Sequence, residues 1–262
     1  MRVVTYASDH SHPGLNEFLR PSCEYHGLKL DILYGGTSIF RRKWTNRTKD
    51  TLLARYLETV DDDEIIFSTD AYDAWFLDGE NEILRKFHTF NHPLVFSAER
   101  NCWPPDPETC SRYPGARTTA RYLNSGGFIG KAGAIRDALE QVVGMFPAWK
   151  KRKSNQYRWS NFYLDNPGTI VLDTECRIFY CAAIPGAELR ASPWGSNYKK
   201  LLPEYRYREY ITERILDEIR IEYARVYYRQ TGNRPCHIHL NGPTAQTMGL
   251  PVWEQLRPWL VK

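Results

Sequence analysis

A chain of 262 residues, 42% of them apolar, is long enough to bury a sizeable core as one large domain or two small ones. Its formal net charge of +4 is too small to demand a polyanionic partner, and no run approaches the roughly 18 consecutive apolar residues needed to cross a bilayer. The six cysteines form no C-x-x-C pair, which argues against a zinc site or a thioredoxin-like motif. Most are expected to be reduced and packed, and a Cys102–Cys110 bridge across a Pro-rich loop would need an oxidising compartment.

The first residues, Met1 to Ala7, read as a strand and not as a charged-then-apolar signal segment, so a cytoplasmic location is expected. A polar loop, Ser8 to Gly14, follows, and then Leu15, Phe18 and Leu19 at helical spacing; strand, loop and helix in that order are an α/β signature. His10 and His12 are alternate loop residues before a proline, a pattern that more often means solvation than metal binding. Ser8 and Asp9 stand where a nucleotide would meet the end of the first strand. Leu30 to Tyr34 form a second strand, closed by Gly35-Gly36. The basic run Phe40 to Lys49 fits either a loop over phosphates or a solvated surface. Leu52, Leu53, Tyr56, Leu57 and Val60 keep helical spacing and lead into the acidic turn Asp61-Asp62-Asp63.

The next stretch, Glu64-Ile65-Ile66-Phe67-Ser68-Thr69-Asp70-Ala71-Tyr72-Asp73, organises the rest. A short apolar run reads as a strand buried on both faces, and it ends abruptly in two carboxylates flanking an aromatic. Ligands of open α/β sheets bind outside the carboxyl ends of the strands, and paired carboxylates there suit a hard divalent cation with positions left for substrate phosphates. A turn built by two Asp side chains would explain the same pattern.

Ile83, Leu84 and Phe87 mark a further helix, and Pro93 to Ala98 a strand whose end carries Glu99, Cys102, Trp103, Pro104 and Pro105. Trp103 in that loop would either stack on a sugar ring or plug the core. The chain then reads as loop to Arg121. Tyr122 to Gly130 is apolar with paired glycines, which fits a close approach to the backbone or a bulge. Ile135, Leu139, Val142 and Val143 share a helix face, and Trp149 to Phe162 is basic and aromatic. Ile170 to Leu172 and Ile178 to Tyr180 read as short strands, and Ile211, Ile215, Ile219, Tyr223 and Val226 as one amphipathic helix.

Four blocks then fall into a known order: Thr69-Asp70-Ala71-Tyr72-Asp73; Phe96-Ser97-Ala98-Glu99 with Cys102-Trp103-Pro104; Tyr122 to Gly130; and Ile238-His239-Leu240-Asn241-Gly242-Pro243-Thr244. Together with Leu172-Asp173 and Arg177-Ile178-Phe179 they resemble the glycosyltransferase domain of the procollagen lysine hydroxylases and its stand-alone relatives. The resemblance implies an α/β fold of GT-A type, one nucleotide-sugar-binding domain over residues 1–262 with a mixed, mostly parallel sheet flanked by helices. It implies manganese, or magnesium, held by Asp70, Asp73 and His239, and UDP-glucose or UDP-galactose as donor. Ser8, Lys49, Tyr72, Asn241 and Gly242 would contact the nucleotide, Tyr72 by stacking on uracil. Trp103 and Asn124 would face the sugar and acceptor, and Glu99 and Asp106 are positional candidates for a base.

Two departures stand out. An aspartate of the family is replaced by Asn155 after the basic Lys151-Arg152-Lys153, and Leu240 stands where relatives have Gly, after a segment from about 189 to 234 that is longer than theirs. The reading is a hexosyltransferase acting on hydroxylysine of collagen-like chains. The alternatives are transfer to hydroxymethylated DNA bases, favoured by Lys150 to Arg158, and a nucleotide-sugar-binding protein without transfer activity.

Overall fold

Alternation along the apolar strands sets the architecture, because neighbouring residues of one strand serve opposite faces. In the computed structural model, which describes residues 1–34, 47–144, 154–192 and 205–260, Val4, Ile66, Phe96 and Phe128 enter one core while Val3, Phe67, Val95 and Ile129 enter another. The basic stretches expected over 40–46 and 149–153 lie outside the described residues.

The strands are β1 (Arg2–Ala7), β2 (Leu30–Tyr34), β3 (Ile65–Asp70), β5 (Leu94–Glu99), β6 (Tyr122–Lys131) and β7 (Val171–Asp173), in sheet order β2-β1-β3-β6-β5-β7. β1 is parallel to β2 and β3, β7 is parallel to β5, and β6 runs antiparallel between β3 and β5. This is the mixed, mostly parallel sheet expected. Helices α2 (Arg47–Leu57), α5 (Ala132–Gly144) and α6 (Asn155–Asp165) supply Leu53, Leu57, Ile135, Leu139, Trp159 and Phe162 to the first core. A π-helical turn over Gly14–Leu19 that continues as α1 (Arg20–Tyr25), together with α3 (Glu80–His88), supplies Leu15, Leu19, Cys23, Ile83 and Phe87 to the second.

A second, small sheet is made of three-residue strands from distant parts of the chain: β4 (Ala74–Phe76), β8 (Phe179–Cys181) and β11 (His237–His239). β11 lies in the middle, antiparallel to β4 and parallel to β8. Asp173 turns the chain into β8. Its buried carboxylate accepts the backbone N–H groups of Arg177, Ile178 and Phe179 at 2.9, 2.7 and 2.9 Å, and burial raises its pKa against those bonds.

Two expectations change. The helix expected to run from Ile211 to Val226 ends within α8 (Tyr205–Leu216), and Ile219 to Tyr228 form a hairpin of β9 (Ile219–Glu222) and β10 (Arg225–Tyr228). Ile219, Val226 and Tyr228 are buried while the residues between them are more exposed, a strand period that the helical spacing masked. The turn residues Tyr223 and Ala224 have φ of 49° and 58°, the left-handed pair that a two-residue hairpin loop needs, without the Asn-Gly that would announce it. The segment expected as loop contains α4 (Pro107–Ser111), capped by the Asp106 carboxylate, which accepts from Thr109. Cys102 and Cys110 form a disulfide, while Cys23, Cys176, Cys181 and Cys236 are free and buried, as packed thiols should be. Among the described residues no helix is long and apolar enough to cross a membrane.

Candidate metal centre and its cavity

β3 ends at Asp70, and the chain turns through Ala71 and Tyr72 to Asp73 before entering β4, so both carboxylates leave the sheet at one edge. The small sheet brings the third group. In its register His239 lies opposite Ala74, the residue after Asp73, and the next N–H, of Leu240, donates to the Asp73 carbonyl at 2.8 Å. His237, two residues earlier and on the same side of the strand, shares a hydrogen bond with Thr69 Oγ1 at 2.8 Å and ties β11 to the end of β3. His239 Nε2 is thereby held 3.3 Å from Asp73 Oδ1 and 3.8 Å from Asp70 Oδ2. One ligand atom from each of Asp70, Asp73 and His239 falls within 4.8 Å of the others.

Gly126 makes room for this arrangement. A Cβ at Gly126 would lie 2.3 Å from His239 Cε1, and one at Gly127 would lie 3.1 Å from the Phe179 ring. The register of β5 against β6 also jumps here, from Phe96 opposite Phe128 to Ser97 opposite Asn124. The paired glycines therefore reflect both a close approach and a bulge.

The electrostatics favour a cation. Burial opposes charge on His239, but Asp73 and then Asp70 outweigh it and raise the imidazole pKa above its ordinary value. Burial likewise opposes charge on Asp73, and His239 more than compensates, lowering its pKa. Lys49, from α2, places Nζ 2.6 Å from Asp70 Oδ1; its pKa is raised because Asp70 outweighs burial. The two carboxylates thus already face a lysine ammonium and an imidazole that they draw toward its charged form, together offsetting their charge. A divalent ion would take over that role, and two carboxylates with one neutral imidazole form a donor set that suits manganese. His239 Nδ1, the other ring nitrogen, faces Cys181 Sγ at 3.7 Å.

Beside this centre lies a cavity of about 900 Å³, whose wall includes Lys49, Asp70, Asp73, Trp103, Asn124, Asn155, His239, Asn241 and Gly242. Trp103 is 54% exposed, so it lines the opening and does not plug the core. Asp106 also reaches the wall. Glu99 does not line the cavity: it is fully buried behind it, where its carboxylate accepts from Asn124 Nδ2 at 3.0 Å, Gln156 Nε2 at 2.6 Å and Asn241 Nδ2 at 3.1 Å. Burial raises its pKa, and those three donors oppose the rise. Such a carboxylate organises side chains and is poorly placed to take a proton from a ligand. Asn241 keeps its Oδ1 buried with no partner among the described residues, an acceptor in the cavity wall that awaits one.

Ser8 and Tyr72 lie apart from the cavity wall. The Tyr72 hydroxyl accepts the N–H groups of Ser8 and Asp9, both at 2.7 Å, and its ring stacks on His12 at 4.1 Å. His10 stacks on Tyr34 at 3.5 Å, so both loop histidines pack against aromatic rings. Gly14 permits the approach, since its Cβ would fall 1.8 Å from the Tyr72 carbonyl oxygen.

Three residues of the site carry no sequence signal of their own. Gln156 reaches Glu99 and also donates to the Trp103 carbonyl at 3.2 Å, and its position directly after Asn155 was the available clue. Asp50, beside Lys49, is buried in contact with Asn155 and Trp159. Arg100, in the cavity wall, pairs with Glu188 and with the buried Glu218, which lies between the two groups of wall residues ending at Arg190 and beginning at His239.

Comparison with known proteins adds to this geometry. The family profile described as PLOD GT domain matches residues 1–190, ending before β11. Human procollagen-lysine,2-oxoglutarate 5-dioxygenase 2 is 34% identical over 189 residues, which cover 68% of this chain and 24% of that protein. The human multifunctional procollagen lysine hydroxylase and glycosyltransferase LH3 is 37% identical over 125 residues, 45% of this chain and 16% of that protein. An uncharacterized protein, R699, of Acanthamoeba polyphaga mimivirus is 32% identical over 170 residues, 60% of this chain and 34% of that protein. The matched segments thus span 34% or less of the length of these relatives.

Proposed function

Because the chain belongs to the PLOD GT domain family, whose fold is GT-A-like, we propose that it is a metal-dependent transferase moving a hexose from UDP-glucose or UDP-galactose to a hydroxyl group. The observation that carries this reading is the convergence of Asp70, Asp73 and His239 at the edge of a cavity of about 900 Å³. The proposed unit is the whole chain as one domain, since β11 from its C-terminal part is the middle strand between β4 and β8.

Asp70, Asp73 and His239 would hold the ion, manganese or magnesium, which supplies Lewis-acid neutralisation of the departing diphosphate. Lys49, whose ammonium lies beside Asp70, would offer a positive charge to the same phosphates. The free Asn241 Oδ1 receives a ligand hydroxyl or N–H, and Gly242 leaves backbone room beside it. Ser8 and Tyr72 form a shelf for the uracil base, with one face of the Tyr72 ring already taken by His12. Trp103 covers the sugar and keeps water from the reacting carbon. Asn124 and Asn155 face the transferred sugar, and Glu99 fixes the carboxamides around it.

The proposed acceptor is hydroxylysine of a collagen-like chain, in keeping with the names of the dioxygenase and LH3 relatives. Of the residues that favoured the modified-DNA alternative, Arg158 and Trp159 are buried within α6, while Trp149 and Lys150 to Lys153 lie outside the described residues. Incubation with manganese and a panel of UDP-sugars, scoring UDP release with and without hydroxylysine peptides, tests the proposal. Peptide-stimulated, manganese-dependent release is expected. Tight manganese–UDP binding without turnover on any donor would leave a nucleotide-sugar-binding protein instead.

A further inference from the structure

Asp50 has no role in the reading above, yet its surroundings are unusual. It sits on α2 next to Lys49, is 4% exposed, and accepts through Oδ1 from Trp159 Nε1 at 3.2 Å and Asn155 Nδ2 at 3.4 Å. Its other oxygen, Oδ2, is buried with no hydrogen-bond partner among the described residues. A buried carboxylate with half its acceptor capacity unused is costly to retain, so its persistence calls for a local reason.

The reason lies in the chemistry of its partner. An ionised carboxylate only accepts, so the Asn155 carboxamide must turn its NH2 inward; its Oδ1 is thereby fixed on the other side, where it receives Ser125 Oγ at 3.4 Å in the cavity wall. Gln156 follows the same rule with the other buried acid. Its NH2 goes to Glu99 and its Oε1 receives the Ser125 N–H at 3.4 Å.

We propose that Asp50 is a positioning residue for this site: its buried carboxylate holds the Asn155 carboxamide with the NH2 inward and the carbonyl oxygen toward the cavity, where it accepts a hydroxyl of the bound sugar. The same contact accounts for an amide at position 155. A carboxylate there would face Asp50 across a buried contact, and two such groups cannot both ionise. The acid stands in the layer behind the cavity wall, and a neutral acceptor stands in the wall itself. Burial, which pushes the Asp50 carboxyl up to about 6, agrees with a group that tolerates no second acid beside it.

The inference rests on the transferase reading for the identity of the ligand, but the Asp50–Asn155 coupling is measurable without it. The experiment compares the parent, Asn155→Asp, Asp50→Leu, and the exchange variant Asp50→Asn with Asn155→Asp, in melting at pH 5 and 8 and in titration with UDP and UDP-glucose in manganese. Asn155→Asp is expected to melt several degrees lower at pH 8 and to recover at pH 5, where one acid takes a proton. The exchange variant should melt within about 2 °C of the parent at both values. Asp50→Leu should leave manganese–UDP affinity unchanged and weaken UDP-glucose by about 5- to 10-fold, the worth of one hydrogen bond. Equal melting of Asn155→Asp and parent at pH 8, or an exchange variant no better than the single one, would overturn the coupling. Unchanged UDP-glucose affinity in Asp50→Leu would overturn the positioning role. A parent that binds no UDP-sugar would defeat the transferase reading and with it the ligand, while the melting series would still decide the coupling.

Discussion

The two sheets of this molecule are built on opposite principles. Each strand of the six-stranded sheet comes from one readable run of residues, and three of its five pairings are parallel. The three-stranded sheet is assembled from the three-residue strands β4, β8 and β11, of which only β8 was readable from its own residues. The large sheet supplies stability and carries Asp70 to its edge. The small one supplies geometry, since it alone brings His239 to the acids. Stability and site precision are therefore borne by different pairings, and substitutions should separate them.

The sharpest separation is at Asp73. Asp73→Ala removes one of three candidate ligands without touching either core, so manganese-dependent UDP binding should fall on the order of 1,000-fold or more, with an unchanged circular dichroism spectrum. Parent-like binding in a calorimetric titration would break the comparison at its centre. The converse substitution is Phe96→Ala in β5, whose ring stacks on Phe128 at 4.5 Å and meets Trp159 at 4.9 Å. It should cost about 3–5 kcal/mol in urea unfolding while the folded fraction binds manganese–UDP normally.

Gly126→Ala sharpens the contrast within one strand. The added methyl points at the His239 ring, so metal-dependent binding should weaken by about 10- to 30-fold. Gly127→Ala presses on the Phe179 ring at 3.1 Å and meets His237 Cε1 only at an ordinary 3.6 Å, so it should cost stability more than binding. An effect of similar size, on stability alone, is expected at Glu218, where burial, opposed by Arg100, pushes the carboxyl up to about 7. Because its folded pKa lies above the unfolded value, the proton is held more tightly in the folded state. Stability is then highest below about pH 4.5 and declines as pH rises toward 7. Glu218→Gln should flatten that decline by on the order of 2 kcal/mol, measured as unfolding free energy at pH 5 and pH 8.

The large sheet was legible because its strands announce themselves: Ile65-Ile66-Phe67 is apolar on both faces and ends in charges, and Leu30 to Tyr34 is bounded by Gly-Gly. The small sheet was not, since Ala74-Trp75-Phe76 is too short to show a period. His239 could be assigned only through the resemblance of its block. The hairpin at 219–228 was misread because Ile211, Ile215 and Ile219 extend a helical spacing across its start, and Tyr223-Ala224 adopts a turn that usually advertises itself with glycine. The layer behind the cavity, Asp50 and Glu99 with their amides, leaves no trace in pattern because buried polar contacts follow from packing between distant elements.

The central place of β11 in the small sheet also bears on the order in which the molecule is completed. β4 and β8 emerge from the ribosome before it, and the slot between them is filled only when residues 237–239 arrive, across a very large loop closure. Vectorial synthesis therefore yields first an α/β body with both aspartates in place and the imidazole absent. The last pairing to form would complete the candidate metal centre, so on the proposed reading ion loading would report that residues 237–239 have paired between β4 and β8.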